Sequence, residues 1–171
     1  MRGAIGGAFG GEAVSPPIDE TLALLGRERD DGFDVIGTEG AQAGVGYAAL
    51  TCLDPGDEVI VFEPFYENYG PDAVLASAKP AFVTLTPPSF RIEETPLRAA
   101  VTDRTRAIIL NTPNNPTGRV FDAAEMEAVR SVALAHDLLV ITDEIYEYIL
   151  YEGTHVPFAT LEGMAERTIT V

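Results

Sequence analysis

A carboxylate follows a short apolar run in the second half of the sequence. Residues 138–141 are Leu, Leu, Val and Ile, and Asp143 comes one threonine later. An unpaired carboxylate at the end of a buried strand is costly. Asp143 therefore either caps the turn that follows or faces a cation such as a protonated ring nitrogen. The residues by themselves leave both alternatives open.

A glycine-containing turn earlier in the chain could bind an anion. Gly37 and Gly40 follow a predicted strand, and Ala41 and Gln42 begin an apolar segment with the pattern of a helix. Free backbone N–H groups and the positive end of the helix dipole meet at such a turn, so a phosphate would fit there. The pattern is not a Walker loop, and glycine also occurs at strand-to-helix turns for purely geometric reasons.

Two further segments place polar or aromatic groups after apolar runs. Residues 63–69 contain Phe65, Tyr66 and Tyr69, which could stack on a flat ring, although such a segment on its own is more typical of a packed loop. Residues 111–118 read Asn-Thr-Pro-Asn-Asn-Pro-Thr-Gly. Proline and glycine force this stretch out of regular structure, and its three asparagines supply amide groups at a rigid turn.

The elements that must position these groups alternate between short apolar runs and longer amphipathic ones, which indicates βαβ units. Strands are predicted at residues 34–36, 58–62, 81–85, 107–110, 138–142 and 168–171, and helices at 41–53, 68–78, 95–101 and 122–136. Asp122 and Glu125 have the spacing of a capping box. Several strands are too apolar to be half-exposed. The sequence therefore predicts an α/β fold with a mainly parallel sheet, helices on both faces, and ligands beyond the carboxyl ends of the strands.

Composition excludes several classes of function. The chain has 27 acidic and 11 basic residues and a net charge of −16, so no nucleic-acid partner is predicted. Its longest apolar stretches are strand-sized, which predicts no membrane partner. The single Cys52 cannot form a disulfide within the chain and fits a reducing cytoplasm. The length predicts one domain, and no metal site is predicted.

In order along the chain, these motifs resemble the class I and II aminotransferases, which are pyridoxal 5'-phosphate enzymes of fold type I. The resemblance runs through Gly40-Ala41-Gln42, DPGD, PFY, NPTG, DEIY and ERTITV, at residues 40–42, 54–57, 64–66, 115–118, 143–146 and 166–171. It is weakest over residues 1–36, where only residues 2–5 resemble the helix that precedes the first large-domain strand. The resemblance implies that residues 1–171 form part of the large, cofactor-binding domain, without the small domain.

The resemblance also implies roles for particular residues at the phosphate and the face of the ring. Gly40, Ala41 and Gln42 would hold the cofactor phosphate, and Tyr66 would stack on the pyridine ring. Both roles agree with the turn and the aromatic segment described above.

At the polar edge of the ring, Asn115 and Tyr146 would hydrogen-bond the phenolic oxygen. Asp143 would pair with the pyridine nitrogen and keep it protonated, so that the ring can accept electrons when the substrate loses its α proton. The implied activity is transfer of an amino group from an amino acid to a 2-oxo acid. The implied assembly of the full enzyme is a homodimer.

The family's Schiff-base lysine is expected beyond Val171, and so is the arginine that binds the substrate carboxylate. The only lysine, Lys79, matches another part of the pattern and is predicted to be an exposed turn residue. His136 at a helix end and His155 in a loop are not predicted to replace it. No catalytic residue is therefore predicted within the chain, which is expected to be a fragment or split part that is inactive alone. Two alternatives stay open: an inactive remnant or cofactor-binding module, and a fold type I lyase or decarboxylase with similar ring contacts.

Overall fold

The computed structural model describes residues 36–171, and Glu39–Val171 form one compact unit. The strand predicted at 34–36, except for its last residue, and the helix-like residues 2–5 lie outside the described residues. The helices are α1 (Ala41–Cys52), α2 (Tyr69–Leu75), α3 (Glu94–Ala99) and α4 (Ala123–His136). The strands are β1 (Glu58–Glu63), β2 (Lys79–Thr84), β3 (Thr105–Asn111), β4 (Leu139–Asp143) and β5 (Thr168–Thr170), and a short 3-10 turn covers Phe158–Thr160.

Within the described residues, the five strands form one sheet in the order β2-β1-β3-β4-β5, and every neighbouring pair is parallel. Parallel neighbours need crossover connections, which contain α2, α3 and α4 between the first four strands and the 3-10 turn between β4 and β5. The carboxyl ends of the strands consequently lie at one edge, where Asn111 of β3 pairs in register with Asp143 of β4. The predicted α/β fold with a parallel sheet is confirmed.

Both faces of the sheet are covered by helices, as predicted. Alternate residues of β1 enter different cores, because successive side chains of a strand point to opposite faces. Ile60 and Phe62 pack in one core with residues of α3 and α4. Val59 and Val61 pack in the other core with residues of α1 and α2. This burial on two sides explains why the central strands are almost continuously apolar.

Strand β2 differs from its prediction. It begins at Lys79, two residues before the predicted start, and includes Pro80. Proline cannot donate to the ladder, but β2 is an edge strand, so one side of it needs no partner. Lys79 is exposed as predicted, yet the prediction that it lies in a turn is wrong, because it forms the first residue of this strand.

The predicted capping box at the start of α4 is confirmed. Asp122 Oδ1 accepts hydrogen bonds from the N–H groups of Ala124 and Glu125, both at 3.0 Å, and Glu125 Oε2 accepts one from Asp122 N–H at 3.0 Å. Glu125 is buried, pairs with Arg119 and also accepts from the Ile92 N–H at 2.9 Å. The carboxylate therefore joins α4 to the segment that follows the asparagine-rich turn. Among residues 36–171, none of the helices has the length and apolar character needed to cross a bilayer.

Candidate functional site

The candidate site lies at the carboxyl ends of β1, β3 and β4, and Asp143 is its central charged group. Asp143 is 6% exposed. Its Oδ2 accepts a hydrogen bond of 2.6 Å from the Tyr69 hydroxyl, and its Oδ1 accepts one of 3.3 Å from the Ile145 N–H. Within the described part of the chain, no cationic side chain forms an ion pair with it. The long bond to Ile145 leaves Oδ1 with acceptor capacity for a further donor.

Tyr69 is a site residue whose role the sequence did not indicate. It is the first residue of α2, is 2% exposed and lies 74 positions before its carboxylate partner. Burial, followed by the negative charge of Asp143, raises the pKa of Tyr69 far above its usual value, so the phenol keeps its proton. The sequence signal was its position three residues after Tyr66, which places both rings beside each other at the start of a helix.

The two preceding aromatics have different roles. Phe65 stacks on Phe82 of β2, with ring centroids 5.4 Å apart and planes within 8°, so it packs the loop against the sheet. Tyr66 meets Tyr69 edge to face at 5.7 Å, and its hydroxyl accepts a hydrogen bond of 3.2 Å from Asn68. Tyr66 is half-buried. The packed-loop interpretation therefore holds for Phe65, while Tyr66 lies beside the buried phenol that contacts Asp143.

Asn111 connects the ends of β3 and β4. Its Nδ2 donates to the backbone carbonyl of Asp143 at 2.9 Å, and its Oδ1 accepts from the Asn115 N–H at 2.7 Å. One buried amide thus fixes the backbone at two candidate site residues. Among residues 36–171, the side-chain amide of Asn115 and the hydroxyl of Tyr146 have no hydrogen-bond partner, and both side chains are half-buried. These two polar groups are available to a ligand.

The start of α1 provides a different type of binding group. Gly40 has a φ of 121°, which favours glycine, and no side chain caps the helix. Within residues 36–171, the N–H groups of Ala41 and Gln42 have no acceptor, as expected for the first turn of an uncapped helix. The side chain of Gln42 donates to both oxygens of buried Asp72, at 3.1 and 2.9 Å. Its backbone N–H is therefore the group available to an anion.

The lysine and the two histidines have other positions and contacts. Lys79 stands at the amino end of β2, about 17–20 Å along a six-residue strand from the carboxyl edge. His136 ends α4 and is exposed. The side chain of His155 is 6% exposed and contacts Glu144 Oε2 at 2.7 Å, while Glu144 Oε1 accepts from the Phe158 N–H at 3.0 Å. These two contacts hold the loop that follows Asp143.

The contacts therefore connect the buried Asp143 through Tyr69 to the ring of Tyr66, and through Asn111 to the backbone of Asn115, at the carboxyl edge of a parallel sheet. A carboxylate, an aromatic ring and an uncapped helix start are the types of group that suit a flat, cationic ring with a phosphate arm.

Comparison with known proteins identifies the family. A family model described as "Aminotransferase class I and II" matches residues 20–171. The chain is 44% identical over 165 residues to the probable N-succinyldiaminopimelate aminotransferase of Mycobacterium tuberculosis, covering 92% of this chain and 42% of that protein. It is 39% identical over 173 residues to human kynurenine–oxoglutarate transaminase 1, covering 91% of this chain and 41% of that protein.

A solved structure shares the fold. The aromatic aminotransferase of Pyrococcus horikoshii OT3 superposes with a TM-score of 0.83 and 37% identity, over 90% of this chain and 42% of that one. The chain belongs to the class I and II aminotransferases, a family of transferases that depend on pyridoxal phosphate. It spans about two-fifths of the length of these relatives.

Proposed function

We propose that the described residues form the cofactor-binding wall of a pyridoxal-phosphate-dependent aminotransferase. In this proposal Asp143 binds the ring nitrogen and Tyr66 stacks on the ring. Asn115 and Tyr146 bind the phenolic oxygen, and Gly40, Ala41 and Gln42 hold the phosphate. The observation that carries the proposal is the buried Asp143 carboxylate, which has an oxygen available at the carboxyl edge and no cation of its own among residues 36–171.

The chemistry of the donor groups supports this cofactor. A protonated pyridine nitrogen is the cation that a buried, hydrogen-bonded carboxylate requires. The unpaired amide of Asn115 and hydroxyl of Tyr146 can each donate to an anionic phenolic oxygen. The uncapped first turn of α1 offers N–H groups to a phosphate dianion. Every charge on the cofactor therefore has a complementary group in the chain.

When bound, the cofactor supplies an electron sink for the pair left behind when a substrate loses its α proton. Asp143 contributes by holding a proton on the ring nitrogen. Tyr66 fixes the plane of the ring, and the start of α1 fixes its phosphate end. Asn111 keeps the backbone at Asn115 and Asp143 in register, so that contacts to two sides of the ring stay at a fixed separation.

The whole activity needs groups that these positions do not supply. Lys79 lies at the opposite end of the sheet, so we propose that the family's lysine and the arginine for the substrate carboxylate come from residues other than 1–171. With them, the protein transfers an amino group from an amino acid to a 2-oxo acid. We further propose that it acts as a homodimer in the cytoplasm. Its membership in an aminotransferase family supports these proposals.

Binding is tested by titrating the chain with pyridoxine phosphate, which keeps the ring, phenolic oxygen and phosphate but has no aldehyde to react with Lys79 or the α-amino group. We expect saturable binding that weakens at least about tenfold in Asp143→Asn, since a charged hydrogen bond is worth roughly 1.5–3 kcal/mol. Pyridoxine without the phosphate should bind more weakly. If the unsubstituted chain and Asp143→Asn bind pyridoxine phosphate and pyridoxine with equal affinity, the roles assigned to Asp143 and to the phosphate-binding residues are refuted.

Amino transfer is tested separately, by assaying both the chain and a version extended by the coding sequence that follows the Val171 codon. Several pairs of amino acid and 2-oxo acid are supplied. We expect amino transfer by the extended protein and none by the chain alone. Release of lyase or decarboxylase products without amino transfer would replace the proposed reaction with the alternative chemistry of fold type I.

A further inference from the structure

A buried tyrosine supports the central carboxylate of the site. The Tyr69 hydroxyl donates to Asp143 Oδ2 at 2.6 Å, and the two residues are 2% and 6% exposed. Tyr69 begins α2, where its own N–H donates to the Tyr66 carbonyl at 3.2 Å. The phenol is therefore held by backbone structure at one end and bonded to the carboxylate at the other.

The hydrogen bond has an electrostatic consequence. A buried carboxylate without a cation favours its neutral form unless donors stabilise the charge. Within the described residues, the donors to the side-chain carboxylate of Asp143 are the phenol of Tyr69 and the more distant N–H of Ile145 at 3.3 Å. Tyr69 is thus the closer of the two donors to the carboxylate.

We propose that Tyr69 is a positioning residue that places the shared proton on the cofactor's ring nitrogen and not on Asp143. This inference rests on the proposed function, because it requires the ring nitrogen to face Asp143. By donating to Oδ2, Tyr69 stabilises the carboxylate charge and leaves Oδ1 for the ring. Without that donor a larger share of the proton resides on Oδ1, where the charged pair becomes a neutral hydrogen-bonded pair.

The phenol itself does not compete for the role of base. Burial and the neighbouring charge of Asp143 raise the pKa of Tyr69 far above its usual value, so its proton stays on the hydroxyl at neutral pH. The ring of Tyr69 also packs against Tyr66 and in the core between α1, α2 and the sheet. Tyr69→Phe keeps this packing and removes only the hydroxyl, which separates proton placement from structural support.

The test uses pyridoxine phosphate isotope-labelled at the ring nitrogen, bound at saturation to the chain at neutral pH. The nitrogen chemical shift in NMR reports the fraction of ring nitrogen that is protonated. We expect a protonated ring with the unsubstituted chain, and a ratio of protonated to unprotonated nitrogen about tenfold lower with Tyr69→Phe. Tyr151→Phe, which removes a phenol that is 96% exposed, serves as the matched control and should leave the ratio unchanged.

The outcomes separate the two proposals. Failure of the unsubstituted chain to bind the labelled compound contradicts the proposed function and this inference with it. An equal ratio of protonated to unprotonated ring nitrogen in the unsubstituted chain and in Tyr69→Phe overturns the role of Tyr69 alone. The role of Tyr69 in proton placement is also overturned if Tyr69→Phe weakens affinity without moving the nitrogen signal. It is likewise overturned if Tyr69→Phe does not bind at concentrations that saturate Tyr151→Phe. In both cases the hydroxyl has a merely structural role.

Discussion

Replacing Asn111 by alanine removes the side chain that connects β3 to β4 at the site. The variant loses the bond from Nδ2 to the Asp143 carbonyl and the bond from the Asn115 N–H to Oδ1, of 2.9 and 2.7 Å. The carbonyl keeps a second donor, the Thr112 N–H at 3.1 Å, whereas the Asn115 N–H has no other acceptor within residues 36–171. The damage is therefore concentrated at Asn115.

The expected cost follows from these contacts. Two hydrogen bonds contribute about 1 kcal/mol each, and an unpaired, partly buried N–H adds roughly 1–2 kcal/mol. We expect Asn111→Ala to lower the free energy of unfolding by about 3–4 kcal/mol, a large part of the roughly 5–15 kcal/mol typical of a domain. Urea unfolding followed by circular dichroism measures this change. Affinity for pyridoxine phosphate should also fall, because Asn115 and Asp143 lose their fixed separation.

Asn114→Ala is the matched control. Asn114 is 5% exposed, and its Oδ1 accepts from the Thr117 hydroxyl at 2.6 Å and from the Thr117 N–H at 3.4 Å, but both bonds stay within the same turn. Asn114→Ala should lower the free energy of unfolding by an amount similar to that in Asn111→Ala, but it should weaken the binding of pyridoxine phosphate less. A loss of under about 1 kcal/mol in Asn111→Ala, with unchanged affinity, would show that this amide does not hold the two strand ends together.

Three further outcomes are expected. Asp122→Ala removes the cap of α4 and should cost about 1 kcal/mol in urea unfolding, and no measurable cost would contradict the capping box. Burial raises the pKa of Asp72 in the folded chain, so its contribution to stability is present below its ordinary pKa and is lost as pH rises through the folded value. Asp72→Asn should therefore lose less stability than the unsubstituted chain when the pH of unfolding experiments is raised from about 4 to 7, and parallel curves would refute this. Finally, the net charge of −16 predicts that added sodium chloride raises the urea midpoint, and a lower midpoint in salt would argue against repulsion among the acidic groups.

The elements were largely predictable because local signals specify them. The start of α4 follows from Asp122 and Glu125, whose capping box depends only on residues within one helical turn. The central strands follow from apolar runs that are buried on both faces. The start of β2 was missed because Pro80 argues against a strand unless it lies at an edge, and edge position is a property of the whole sheet.

The proximity of the asparagine-rich turn to Asp143 could also be inferred, since motifs at the ends of parallel strands lie at one edge of the sheet. The supporting contacts of the site residues could not. The Tyr69–Asp143 bond spans 74 positions and the Gln42–Asp72 bond spans 30. Side-chain periodicity carries no information on which distant groups meet, and neither tyrosine nor aspartate is restricted to one partner. Such contacts depend on the crossing of α2 over the sheet.

Helix α2 has a thermodynamic consequence for the proposed cofactor. Tyr69 and Asp72 are three residues apart and so lie on one face of this short helix, one bonded to Asp143 and the other to Gln42 at the start of α1. The helix is thus a spacer between the ring end and the phosphate end of the proposed site. Its length sets their separation, so a ligand with its ring and phosphate spaced as in pyridoxine phosphate should bind more tightly than one with a longer or shorter arm.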